Sequence, residues 1–185
     1  IKYIDIYPPI NWYITIKADG IKTFIYMKYH KLENKIILYL MNDNLIKYEF
    51  ENNINIKENN LLYLYDAELI GNKLLIFDIL YDNGKNVSTL EFKDRINIIP
   101  DSLERFNKIL KDNNIQDYIY EMKYYVEITD DLQRSFRNII EYKYDYPSDG
   151  YILVEPNKNY LNTTNYKIKE KNTIDFLAVK APDSI

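Results

Sequence analysis

Two pairs of short apolar runs, each pair split by a few turn-forming residues, constrain the fold of this chain more than any other feature. Ile36-Ile37-Leu38-Tyr39-Leu40 and Leu45-Ile46-Lys47-Tyr48-Glu49-Phe50 are separated by Met41-Asn42-Asp43-Asn44, so Lys35 to Phe50 predicts a β-hairpin. Leu61 to Leu69 and Lys73 to Tyr81 are joined by Ile70-Gly71-Asn72, which predicts a second. The stretch Leu74 to Leu80 is nearly all apolar, as expected of a buried central strand. Strand-like runs also occupy Ile10 to Ile16, Thr23 to Met27, Tyr151 to Glu155 and Ile174 to Val179.

Helical signals are confined to one region. Asp101 with Glu104 forms a capping box ahead of Leu103, Phe106, Ile109 and Leu110, which share a helix face. Asp130 with Gln133 forms another, ahead of Leu132, Phe136, Ile139 and Ile140. Hairpins with helices gathered in one place predict an α+β fold rather than alternating βαβ units. No repeat, low-complexity linker or internal boundary interrupts the chain, so 1–185 reads as one domain. A sequence that opens on Ile1 is expected to be a fragment of a larger protein.

Composition removes several functions. With no cysteine there is neither a disulfide nor a thiolate metal site, and the single histidine, His30, cannot form an imidazole cluster. No apolar run approaches the ~20 residues that span a bilayer, and no signal peptide is visible, so no membrane partner is expected. A net charge of −4 argues against a sequence-blind nucleic-acid coat, though not against a local basic groove. Tyrosine occurs 20 times, alongside abundant Ile, Lys and Asn. All four have AT-rich codons, so we attribute the tyrosines to genome bias rather than to a base-stacking platform.

The chemistry centres on Lys17-Ala18-Asp19-Gly20, a lysine delivered between two strand-like runs and followed by a carboxylate and a glycine turn. A lysine amine attacks phosphorus only when deprotonated. From a reference pKa of about 10.4, lowering it by ~3 units costs about 4 kcal/mol, which desolvation or nearby cations can supply. Such cations exist near the other end, where Tyr166-Lys167-Ile168-Lys169 places alternate lysines on one side of a strand. Asn172-Thr173-Ile174-Asp175-Phe176 follows.

These segments resemble the motifs of the covalent nucleotidyltransferases, which include mRNA capping enzymes, DNA ligases and RNA ligases. Lys17-x-Asp19-Gly20 resembles the nucleophile motif, and Lys22 stands where many relatives carry arginine. Asp66-Ala67-Glu68 resembles an Asp-Gly-Glu motif whose glutamate holds the ribose or supports the active-site geometry; here alanine replaces the glycine. Phe77-Asp78 resembles the next, whose aromatic stacks on the base, with Arg95 matching an arginine that often follows. Asp149-Gly150 resembles an Asp-Gly-hydrophobic motif whose carboxylate suits Mg²⁺ (or Mn²⁺). Lys167-x-Lys169 with Asp175 resembles the last motif of the capping branch in particular, and the aspartate at 149 is also more usual there than in ligases.

The resemblance spans Lys17 to roughly Val179. It implies a fold of antiparallel sheets with a nucleotide cleft between them, and an mRNA guanylyltransferase using GTP. Lys17 is the implied nucleophile; Lys22, Glu68, Phe77, Lys167 and Lys169 are the implied nucleotide contacts, and Asp149 the metal ligand. Asp19, Gly20, Asp66, Asp78, Arg95, Gly150 and Asp175 are implied supporting positions. The implied partners are GTP, an RNA 5′ end, and an OB-fold and other capping domains of the same polypeptide. An OB-fold lid is expected to be absent from 1–185, so slow adduct formation is expected of this fragment. An ATP-dependent polynucleotide ligase and a catalytically degenerate RNA-binding or assembly module are the alternatives. Base composition fits a cytoplasmic DNA virus, with the protein in the cytoplasm, a viral factory or the virion.

Overall fold

The computed structural model describes residues 10–51 and 61–169. Within them two sheets and two helices form a mixed α+β architecture. The smaller sheet is built on β1 (Tyr13–Ala18), flanked by β10 (Ser148–Val154) and β9 (Val126–Glu127), with β11 (Asn165–Ile168) outside β10. The larger begins with β4 (Ile46–Glu51), β3 (Lys35–Met41) and β2 (Ile21–His30). It continues through β5 (Leu62–Ile70), β6 (Lys73–Asp82) and the short β7 (Lys85–Asn86).

Both predicted hairpins are present, β3–β4 and β5–β6, and β6 is interior. One pairing departs from the antiparallel expectation: β8 (Ile119–Met122) runs parallel to β6. The cause is the crossover between β7 and β8, which is made by a helix and returns the chain in the direction of β6.

That helix, α1 (Phe92–Asp112), corrects the predicted start at Asp101. Glu91 is its N-cap residue and makes no side-chain cap bond, and Pro100 lies inside it, so both the start signal and the continuity were hidden. The apolar face is one stripe, with Phe92, Ile96, Ile99, Leu103, Phe106 and Leu110 buried against the larger sheet. Phe106 meets the rings of Tyr63, Tyr65 and Tyr120 at 5.8, 5.3 and 5.2 Å. The second helix, α2 (Leu132–Glu141), is capped by Asp131, whose side chain accepts from the Arg134 N–H, rather than by Asp130. Its Ile139 is buried, whereas Ile140 faces solvent. The predicted strand from Ile174 to Val179, with Asp175, lies outside the described residues.

Candidate active site

β1 belongs to one sheet and β2 to the other, so Asp19-Gly20 is a crossing between sheets rather than a hairpin turn. Gly20 is required there by close approach. A Cβ would lie 2.6 Å from Ile70 Cγ1 and 2.7 Å from the Leu69 carbonyl oxygen. Lys17, one residue short of the end of β1, is thereby held at the seam.

The register sharpens its position. Ile16 pairs with Tyr151 and Ala18 with Ser148, which leaves Lys17 opposed by both Asp149 and Gly150, a β-bulge. Gly150 has φ of +93°, and a Cβ would collide with the Ile168 carbonyl oxygen of β11, so both conformation and space demand glycine. The bulge turns the Asp149 carboxylate toward Lys17.

Asp149 Oδ2 is 3.3 Å from Lys17 Nζ and 2.6 Å from Lys169 Nζ. The Lys169 hydrogen bond, helped by Lys17, holds the Asp149 carboxyl below the usual carboxylate range. Lys17, Lys22, Asp66, Glu68, Phe77, Asp78 and Lys167 line one cavity of about 530 Å³. Its walls come from both sheets: β1, β10 and β11 on one side, β2, β5 and β6 on the other.

Opposite the lysines, Glu68 accepts the Gly20 N–H at 3.3 Å and pairs with Lys123 at 3.4 Å. Asp66, deeper on the same strand, is buried. Its Oδ2 accepts from Tyr160 Oη at 2.7 Å and pairs with Lys22 at 3.1 Å, while Oδ1 has no partner among the described residues. Burial raises the Asp66 carboxyl above the ordinary range, against the opposing pull of Tyr160 and Lys22. Ala67, in place of the glycine expected from the motif, is extended in β5 and fully buried in the core.

The remaining positions separate by role. Phe77 is half-buried on the cavity wall. Arg95 does not reach the cavity; it is fully buried behind it, donating through Nε and Nη2 to the two Asp78 oxygens at 2.7 Å. It also donates to the Leu90 and Lys158 carbonyls at 2.6 and 3.0 Å, tying β6 to the loop that carries Tyr160. Asp19 is exposed and contributes its backbone N–H to the Pro147 carbonyl.

Lys123 and Tyr160, the partners of Glu68 and Asp66, are among the cavity residues that the sequence did not single out. Lys123 is 2% exposed, its Nζ 5.7 Å from the Phe77 ring centroid. Burial pushes its amine below the usual lysine range, opposed by Glu68 and reinforced by the Lys17 charge. A lone lysine in the aromatic run Tyr120 to Val126 was the available signal. Tyr160, in a short 3₁₀ turn (Tyr160–Asn162), carries no sequence signal among the many tyrosines.

No family model matches this sequence. It is 32% identical over 192 residues to the mRNA-capping enzyme of African swine fever virus (Warthog/Namibia isolate), an alignment covering 99% of this chain and 20% of the relative. The same holds for the enzyme of the Badajoz strain. The mRNA-capping enzyme subunit alpha of Schizosaccharomyces pombe is 25% identical over 203 residues, 95% of this chain and 50% of that protein. The chain thus spans about a fifth of the length of its viral relatives.

Proposed function

Starting from homology to mRNA-capping enzymes over nearly its whole length, we propose that this chain is the nucleotidyltransferase domain of an mRNA guanylyltransferase. The observation that carries the reading is the sharing of one Asp149 carboxylate by Lys169 and by Lys17, the latter lining the cavity between the sheets. Lys17 and Lys169, from opposite ends of the chain, meet on Asp149, and Lys167 lines the same cavity as Lys17. The nucleotidyltransferase fold, with its nucleotide cleft between sheets, is part of the proposal.

In the first step Lys17 Nζ attacks the α-phosphorus of GTP. The bond from that phosphorus to the bridging oxygen breaks, pyrophosphate leaves with its electron pair, and a lysyl-GMP phosphoramidate remains once the amine has lost its protons. In the second, an oxygen of an RNA 5′-diphosphate attacks the same phosphorus, and the N–P bond breaks to restore the lysine. Lys167 and Lys169 face the α-phosphate as charge develops on it, and Lys123 adds positive charge around the amine. Phe77 and Ile152, on opposite walls of the cavity, are the proposed contacts to the base, and Glu68 and Lys22, which also line it, the proposed contacts to the ribose.

Asp149 offers one carboxylate at the Lys17 end. That fits a hard cation such as Mg²⁺ (or Mn²⁺), which takes one or two protein oxygens and completes its shell with phosphate oxygens and water. When bound it supplies positive charge to the phosphates. An OB-fold and other capping domains of the same polypeptide are the proposed neighbours, and the RNA 5′ end the acceptor.

The test is a Lys17→Ala substitution. Incubation with α-labelled GTP and Mg²⁺ should label the native chain in an acid-labile, alkali-stable bond and leave the variant unlabelled. Label from ATP but not GTP would instead indicate a ligase-type adenylation domain, and no label from either a degenerate one.

A further inference from the structure

Much of the tyrosine excess fills the core, but four rings form a continuous file beside the smaller sheet. Tyr124 and Tyr142 stack with centroids 4.1 Å apart and 12° between planes. Tyr142 contacts Tyr144 at 4.8 Å, and Tyr144 contacts Tyr146 at 5.5 Å. Tyr124 and Tyr144 lean on the small apolar cluster around Ile14 and Ile139, which leaves both rings half-buried at its edge. Tyr142 is not part of that cluster. It is 46% exposed, so one face is stacked and much of the ring meets solvent.

The file leads into the candidate site. Directly after Tyr146, the Pro147 carbonyl accepts the Asp19 N–H, Ser148 pairs with Ala18, and Asp149 meets Lys17. A second cavity of about 200 Å³, lined by Ile16, Ser148, Asp149, Gly150 and Tyr151, lies where the chain enters β10. The charge around the file is mixed, with one exposed lysine, Lys143, set between two of its rings in sequence. Asp145 is taken up by Lys73 at 2.6 Å, while the exposed Lys143, Arg134 and Arg137 form no ion pair among the described residues. Asp130, Asp131 and Glu141 lie on the same stretch, and Glu121 shares Lys73 with Asp145, so carboxylates are interspersed with these cations. The exposed ring of Tyr142 next to the unpaired Lys143 matches the chemistry of single-stranded nucleic acid, whose bases stack irrespective of sequence while its phosphates need positive charge.

We infer that Tyr142, Tyr144 and Lys143 form a track for the first nucleotides of the RNA acceptor, delivering its 5′-diphosphate past Asp149 to the guanylylated Lys17. The inference rests on the guanylyltransferase reading, and it adds which surface holds the second substrate. Stacking at Tyr142 acts on RNA binding and leaves the reaction with GTP alone.

The experiment measures two quantities on the same protein: affinity for a short 5′-diphosphate oligoribonucleotide, by fluorescence anisotropy, and lysyl-GMP formation from GTP. Tyr142→Ala should weaken RNA binding roughly ten-fold, Tyr142→Phe should leave it near native, and both should form lysyl-GMP as the native chain does. Lys143→Glu should weaken RNA binding and flatten its salt dependence. A 5-iodouridine near the 5′ end should photocrosslink the native protein at Tyr142 or Tyr144. Unchanged RNA affinity in Tyr142→Ala, as expected if another polypeptide covers this surface, overturns the inference, as does a crosslink mapping elsewhere. Absence of lysyl-GMP in the native chain, with RNA affinity still dependent on Tyr142, would instead overturn the guanylyltransferase reading and leave the RNA surface standing.

Discussion

Lys17 and Asp149, 132 positions apart in sequence, are joined by a 3.3 Å ion pair across a β-bulge between β1 and β10. The same carboxylate oxygen receives Lys169 at 2.6 Å, so the amine proposed as nucleophile competes with a second cation for one partner. Asp149 is the element on which nucleophile, phosphate-binding lysine and metal converge in the proposed chemistry.

Asp149→Asn is therefore expected to reduce lysyl-GMP formation by about 10²-fold or more, the scale seen when one transition-state electrostatic contact is removed. Its side chain is 41% exposed, so the melting temperature should change little. Single-turnover labelling with GTP, alongside thermal unfolding, separates the two effects. A large fall in melting temperature with proportionate loss of labelling would assign Asp149 a structural role.

Arg95 and Asp78 form the opposite kind of pair, buried and bidentate. Arg95→Met leaves an uncompensated carboxylate in the wall behind the cavity, and the expected loss is about 3–5 kcal/mol of stability. Urea unfolding measures it directly. A loss below about 1 kcal/mol would mean that water or another donor replaces the guanidinium.

Asp66 carries a pH signature. Because burial raises its folded pKa above the ordinary 3.8, its protonated form favours folding. That contribution is complete below the unfolded value and is lost as pH rises through the folded one. Native stability relative to Asp66→Asn should therefore decline as pH rises from about 4, and paired melting curves across the acid range should show it. A difference independent of pH would contradict the assignment.

Phe106 tests the packing of α1 on the larger sheet. Phe106→Ala removes a fully buried ring ringed by three tyrosines, and should cost about 3–5 kcal/mol. Chemical denaturation with an unchanged m-value would confirm a cavity effect rather than a change of fold.

The hairpins and the interior strand could be read from the sequence because alternation and turn residues are local signals. The nine residues of α1 before Asp101 could not, since a capless start and an internal proline both argue locally against helix, and the stripe from Phe92 to Leu110 overrides them by burial. Asp131 replaced Asp130 as a cap because adjacent aspartates differ only in backbone geometry. At the candidate site, the residues carried by the motif resemblance could be named, but their arrangement could not. Nothing local reveals that Asp19-Gly20 crosses between sheets, that a bulge aims Asp149 at Lys17, or that Arg95 lies behind the cavity rather than in it. Lys123 stayed hidden because its partner, Glu68, is 55 positions away.

The most direct measurement is intact mass after incubation with Mg²⁺ and either GTP or ATP, followed by peptide mapping. One added GMP is expected, on Lys17, from GTP alone. An adduct on another residue, an adduct from ATP instead, or no adduct from either nucleotide would contradict it.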